Sequence, residues 1–235
     1  MSPFIGEFIG TALLLVMGDG VVANVVLNKT YGNNSGWIVI TFGWGMAVFM
    51  GVYASTALGG SGHLNPAVTL AMAAFHQFDS SLVGPYIAAQ FAGAFTGAVI
   101  VWIAYKKHFD ETPDGNSKLA VFCTGPAIYK PFFNLLTEII GAFVLVLGAL
   151  LMSPPDQSLG TLNALPVGLL VLAIGLSLGG ATGYAINPAR DLGPRIAHFL
   201  LPLKNKRDSD WAYAWIPIVG PIIGGLLGAF VFSLL

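Results

Sequence analysis

The 235 residues are 55% hydrophobic and 9% charged, with 30 glycines and a mean hydropathy of +0.77, too few charges to keep a domain in water and a composition that points to an integral membrane protein. A formal net charge of −1 gives no reason to expect nucleic acid or an acidic surface as partner. The single cysteine, Cys123, excludes an internal disulfide and a paired-sulfur metal site; it reads as a tolerated loop thiol, and nothing in the chain asks for a metal or a cofactor.

In chain order, six stretches are predicted to cross a bilayer whose apolar core takes about 20 helical residues: residues 4–27, 37–57, 83–105, 133–152, 163–180 and 211–234. Lipid offers backbone groups no water partner, so these are helices. The first stretch lacks a basic leader and a small-residue cleavage site, so it reads as a span rather than a signal peptide. Late in it lies Asp19, between Gly18 and Gly20. Three readings stay open for this carboxylate: it caps a break in the helix, faces the outer vestibule, or is a buried proton site.

Between the second and third spans lies Asn65-Pro66-Ala67, and between the fifth and sixth Asn187-Pro188-Ala189. Asn before Pro is a good helix start, because its side chain caps free backbone amides and Pro pre-sets the first turn. Residues 66–75 would rise about 15 Å as a helix, half the apolar core, and residues 188–199 are similar. Two such half-helices entering from opposite faces would meet at the midplane with their positive dipole ends converging, and Asn65 and Asn187 would stand there as amide donors.

The two halves repeat. Residues 6–14 resemble 137–145, with glutamates 131 positions apart at 7 and 138, and Gly93 and Gly97 match Gly224 and Gly228 at the same offset. Those glycines, four apart, read as sites of close helix packing. Asn-Pro-Ala recurs 122 positions on. One domain, 1–235, is therefore predicted, with a first repeat over about 4–105, a hydrophilic connector over about 106–132 and a second repeat over about 133–235. Three spans per half make the second repeat inverted. Eight of the ten basic residues (Lys29, Lys106, Lys107, Lys118, Lys130, Lys204, Lys206 and Arg207) fall in connectors on one side of this model, which charge bias alone would place in the cytoplasm.

The segments 61–69 (Ser-Gly-His-Leu-Asn-Pro-Ala-Val-Thr) and 183–191 (Gly-Tyr-Ala-Ile-Asn-Pro-Ala-Arg-Asp), both glutamates and Gly-Pro-Ile-Ile-Gly at 220–224 resemble the major intrinsic proteins, the aquaporin and glycerol-facilitator family, over nearly the whole chain. Asp191 after Asn-Pro-Ala-Arg, Arg195 four residues on, and Pro217-Ile218 in the last span resemble its bacterial glycerol-facilitator branch. The resemblance implies an all-α membrane protein of six transmembrane helices and two half-helices, an inverted repeat in a right-handed bundle. It also implies a homotetramer in the plasma membrane, with the basic side outside, since long connectors translocate largely regardless of charge.

The function implied is a passive channel for small uncharged solutes: glycerol and similar polyols, dihydroxyacetone, water and protonated lactic acid, with protons and ions excluded. A constriction would be formed by Trp44, Gly175, Tyr184 and Arg190, two aromatic faces for a carbon chain and a guanidinium fork for hydroxyls, with Gly175 supplying width. Backbone carbonyls of Ser61, Gly62, His63, Gly183, Tyr184, Ala185 and Ile186 would line the path. Glu7 and Glu138 would brace those loops by accepting from their amides. The Tyr184 hydroxyl either points into the lumen, favouring water and hydroxy acids, or away from it. His63 reads as a wall or bracing residue, while His76, His108 and His198 lie near helix ends or in connectors without metal spacing, and no catalytic constellation appears. Rival readings are a water-selective channel, a secondary transporter built on the same broken-helix repeats and, less supported, a membrane enzyme.

Overall fold

The computed structural model describes residues 2–152 and 160–235, and among these it forms ten α-helices and no strand. In order they are α1 (Pro3–Val26), α2 (Trp37–Ala57), α3 (Pro66–Ala74), α4 (Val83–Ala104), α5 (Lys106–Glu111), α6 (Gly115–Phe122), α7 (Pro131–Leu151), α8 (Leu165–Ser177), α9 (Pro188–Leu200) and α10 (Ile216–Ser233). Helices α1, α2, α4 (with its leading 3₁₀ turn) and α7 are long and apolar enough to cross a membrane. Large apolar side chains such as Phe42, Ile103, Phe133 and Leu227 stand exposed on the outside, as an apolar surrounding solvent requires.

Two expected spans are shorter than the sequence suggested. Helix α8 covers 13 residues, a rise of about 20 Å: Pro166 sets its start, and Gly179-Gly180, poor helix formers, lie in the turn beyond its end. Helix α10 begins at Ile216 rather than Trp211, because Pro217 fixes the first turn and residues 211–215 form turns ahead of it. The hydrophilic connector, expected only as a join, holds α5 and α6. Helix α6 is capped by Asp114, whose carboxylate accepts from the Asn116 and Ser117 amides at 3.1 and 3.0 Å.

The helices pack as two similar halves. Helix α4 lies on α1 and α10 on α7, each brought close by a pair of glycines. A Cβ on Gly93 would stand 2.4 Å from the Phe8 carbonyl oxygen and one on Gly97 2.6 Å from that of Ala12. In the other half Gly224 and Gly228 meet the carbonyls of Ile139 and Phe143 at 2.1 and 2.9 Å, the same partners one repeat on. Helices α2 and α8 join the halves reciprocally: a Cβ on Gly45 would strike the Gly168 carbonyl at 2.9 Å, and one on Gly168 the Gly45 carbonyl at 2.7 Å.

The connectors carrying the eight basic residues meet one another on one side. Lys29 pairs with Glu111, the Asn28 amide donates to Thr112 at 2.9 Å, Lys118 donates to the Lys204 carbonyl, and Arg207 donates to Asn116 at 2.7 Å. These bonds tie the loops after α1, after α4 and after α9 into one cap.

Candidate functional site

The chain builds a central site from two loops that cannot be ordinary helix or strand. Leu64, Tyr184 and Ile186 have positive φ (52°, 38° and 44°), as do Gly62 and Gly183. For non-glycine residues, and above all for β-branched Ile186, this is strained backbone. Each loop is held by one buried glutamate. Glu7 accepts from the amides of His63 (3.0 Å) and Leu64 (2.8 Å), from Ser55 Oγ (3.0 Å) and from Gln90 Nε2 (2.8 Å). Glu138 accepts from the amides of Ala185 (3.0 Å) and Ile186 (2.8 Å) and from Thr182 Oγ1 (2.6 Å). Both carboxylates are almost wholly buried, a placement tolerated because their lone pairs are filled.

The loops deliver the chain to Asn65 and Asn187, the N-caps of α3 and α9. Asn65 Oδ1 accepts from the Ala67 amide at 2.9 Å, and Asn187 Oδ1 from those of Ala189 and Arg190 at 3.0 and 3.3 Å. Their amide nitrogens cross: Asn65 Nδ2 donates to the Ile186 carbonyl and Asn187 Nδ2 to the Leu64 carbonyl, both at 2.8 Å. The N-termini of the two short helices are thereby fastened tip to tip. Each Nδ2 has a second hydrogen, and both asparagines line a cavity of about 140 Å³ between them and α1, α2, α7 and α8.

Trp44, Tyr184 and Arg190 line that inner cavity and also a second one of about 400 Å³ that opens toward the capped side. These three side chains are therefore the wall between the two spaces. The Arg190 guanidinium lies over the Trp44 ring, its Cζ 4.1 Å from the ring centroid, and Nη1 donates to the Phe122 carbonyl at 3.4 Å. Among the described residues the fork makes no other hydrogen bond, which leaves donors for whatever occupies the passage.

Gly175 does its work one step removed. A Cβ there would fall 2.8 Å from Tyr184 Cζ and 2.9 Å from Thr41 Cγ2, so its missing side chain makes room for the tyrosine ring. The Tyr184 hydroxyl is fully buried in this recess, without a hydrogen-bond partner among the described residues; of the two orientations left open by sequence, the outward one is adopted, and the ring rather than the oxygen borders the cavities. Trp37 closes the recess, donating from Nε1 to the Gly175 carbonyl at 3.0 Å and meeting Tyr184 edge-on.

The other residues singled out by sequence fall as follows. Gly62, His63, Ala185 and Ile186 line the inner cavity and Gly183 the outer one. Ser61 lies on neither wall, its hydroxyl 2.9 Å from that of Tyr86. His63 both lines the cavity and bonds through Nδ1 to Thr69 Oγ1 at 3.1 Å. Asp191 and Arg195 form a buried ion pair, Nε to Oδ1 2.8 Å, and Asp191 also accepts from the Thr124 amide and hydroxyl. Arg195 donates onward to the carbonyls of Thr124, Ser209 and Asp210, pinning two loops onto α9. Pro217 and Ile218 sit in the first turn of α10. Cys123 is buried and lines the outer cavity.

Asp19 neither caps a break nor faces the vestibule. Helix α1 runs unbroken through it, and the carboxylate is wholly buried, its Oδ1 3.9 Å from Arg190 Nη1. Sequence reasoning also passed over the apolar walls: Leu14, Val48, Leu145, Val167 and Val171 line the inner cavity. A signal was present, for Leu14 and Leu145 stand at the same offset as the two glutamates.

The model of the family described as "Major intrinsic protein" matches residues 1–232. A probable glycerol uptake facilitator protein of Thermotoga maritima is 58% identical over 99% of both chains. Glycerol uptake facilitator protein 3 of Lactiplantibacillus plantarum is 54% identical over 98% of this chain and 95% of its own. Among solved structures, the aquaglyceroporin from Plasmodium falciparum superposes with a TM-score of 0.86 at 31% identity, covering 98% of this chain and 94% of that one.

Proposed function

The chain belongs to the major intrinsic protein family, a multi-pass membrane channel and not an enzyme, and on that premise we infer that it passes glycerol and other small uncharged solutes down their gradients. The observation that carries this reading is the wall shared by the two cavities, where the Arg190 guanidinium stacks on the Trp44 ring and Tyr184 completes the border. Such a corner suits a molecule with carbon on one edge and hydroxyls on the other: the rings of Trp44 and Tyr184 take the chain, and the free N–H groups of Arg190 donate to the oxygens. Gly175 sets the width by letting Tyr184 lie back.

Below this constriction the solute exchanges its hydration for fixed groups. The strained loops, with Gly62, His63, Ala185 and Ile186 on the wall, offer carbonyls, and Asn65 and Asn187 each offer an N–H. Glu7 and Glu138 hold those loops open. Valines and leucines make up much of the remaining wall, so little binds the solute tightly enough to retain it. Cations and protons meet two helix N-termini and Arg190, all electropositive. An anion would have to shed water in a narrow apolar passage, which costs several kcal/mol, so the neutral form of a weak acid is the permeant.

Dihydroxyacetone, water and protonated lactic acid belong to the proposed permeants on size and neutrality, and for lactic acid the buried Tyr184 hydroxyl lends no support. A water-selective channel is disfavoured by the glycine at position 175 and the tyrosine ring it seats. Location in the plasma membrane, with the basic cap outside, and assembly as a homotetramer complete the reading.

Stopped-flow light scattering of proteoliposomes with water, glycerol, urea, dihydroxyacetone and lactic acid at two pH values tests it. Glycerol and dihydroxyacetone flux far above that of empty vesicles, with lactic acid entering only at the lower pH, is the expected result. Water flux without glycerol flux would overturn it. Tyr184→Phe is expected to leave the ranking unchanged.

A further inference from the structure

Asp19 is a charged group to which the pore described so far gives no task. It is wholly buried in α1, and neither carboxylate oxygen has a hydrogen-bond partner among the described residues. It lines neither cavity. A cation lies beside it, Arg190, with Nη1 3.9 Å away. The next acidic group, Asp191, is committed elsewhere: Arg195 donates to it from Nε at 2.8 Å and Nη2 at 3.1 Å, and Thr124 from its amide and hydroxyl. The two charges of the Asp191–Arg195 pair cancel each other, so the charge of Arg190 is left to Asp19.

The approach from behind is built into α1. A Cβ on Gly18 would stand 2.2 Å from Trp44 Cζ3, so only a glycine lets the helix lie against the ring over which the guanidinium rests. Gly18 and Asp19 are thus consecutive residues serving the two members of one stacked pair.

We propose that Asp19 is the counter-ion of Arg190 and a specificity-determining residue of the channel: it offsets part of the guanidinium's charge, so that the constriction stays electropositive toward cations and donates to passing hydroxyls without retaining small carboxylate anions. The inference rests on the reading of Trp44, Tyr184 and Arg190 as the constriction. An uncompensated guanidinium in a narrow, poorly solvated passage is a strong carboxylate site, matched in geometry and little hydrated. A fixed carboxylate behind it lowers that attraction while leaving the lumen-facing N–H groups as donors.

The test is glycerol flux into proteoliposomes near neutral pH with potassium formate as the anionic probe and potassium chloride as the ionic-strength control. Compared are the unaltered chain, Asp19→Asn, Asp19→Glu and the double variant Asp19→Asn with Arg190→Gln. Formate is expected to cut glycerol flux through Asp19→Asn by at least about threefold, and to change the unaltered chain, Asp19→Glu and the double variant by less than about 1.5-fold. A merely structural role for Asp19 would not create sensitivity to an anion or let the longer carboxylate remove it. Flux through Asp19→Asn that is as indifferent to formate as that of the unaltered chain overturns the proposal and leaves the channel reading standing. Should Asp19→Asn carry no glycerol at all, the double variant, with both charges gone, is expected to regain flux, and its failure to do so overturns the proposal. Arg190→Gln with unaltered solute ranking and no proton leak would instead remove the constriction reading, and this inference with it.

Discussion

The two half-helices are near copies in their caps and opposites within the same first turn. After the first Asn-Pro-Ala come Val68 and Thr69, after the second Arg190 and Asp191. Val68 adds apolar wall to the inner cavity, and Thr69 turns back to bond with His63 and Gln90. Arg190 instead forms the wall between two cavities, and Asp191 is locked to Arg195 and Thr124. The lesson is that the repeat supplies a symmetrical frame, with tips tied together and loops braced by one glutamate each, while only the second end carries charged residues, one of which, Arg190, belongs to the proposed constriction.

The sharpest way to break that contrast is to make the ends alike. Arg190→Val gives the second half-helix the residue of the first. It is expected to raise proton leak, read with a pH-sensitive dye in proteoliposomes, by at least about tenfold, the equivalent of roughly 1.4 kcal/mol of lost barrier, and to narrow the difference between glycerol and urea flux. Unchanged leak would place the barrier at the asparagine tips, which both halves share.

The braces are expected to be alike in kind and unequal in size. Replacing either glutamate by Gln leaves buried amides facing a weaker acceptor, at a cost of about 2–4 kcal/mol. Glu138→Gln should lower the thermal midpoint in detergent more than Glu7→Gln, since the second loop holds two strained non-glycine residues, Tyr184 and Ile186, against Leu64 in the first. The reverse order would mean that Gln90 and Ser55, the additional donors to Glu7, matter more than backbone strain.

Packing provides the milder comparison. Gly224→Ala and Gly93→Ala each force a methyl onto a carbonyl oxygen, at 2.1 and 2.4 Å. Each should cost about 1–3 kcal/mol, the former more, seen as a drop in thermal midpoint. The smallest effect belongs to the connector. The carboxyl of Asp114 is held below its ordinary value by the hydrogen bond from the Ser117 side chain and by the Asn116 and Ser117 amides. A depressed carboxylate contributes stability above its unfolded value and loses it as pH falls through the folded one, so acidification is expected to speed hydrogen exchange at the start of α6 while α1 and α7 stay protected.

What the sequence made legible follows from range. Asparagine caps and the prolines after them act within three residues, so α3 and α9 can be read almost to the residue, and Glu7 and Glu138 stand out because charge is rare in apolar helices and theirs repeats. The connector helices were hidden by their own hydrophilicity, although Asp114 followed by Ser117 is a local capping signal. The early end of α8 depended on how far two glycines and a proline prevail over a continuous apolar pattern. The turn of the Tyr184 hydroxyl into the recess beside Gly175, and the meeting of Asp19 with Arg190, join α1, α8 and α9 across nearly the whole chain, and no local rule reports such contacts.

The central claim, an open passage with no alternating step, is tested most directly by glycerol influx into proteoliposomes measured against concentration, with and without glycerol preloaded inside. Influx proportional to the gradient, without saturation and without acceleration by internal glycerol, is the predicted result. Saturating influx stimulated by glycerol on the far side would contradict it and make the broken-helix repeats those of a carrier.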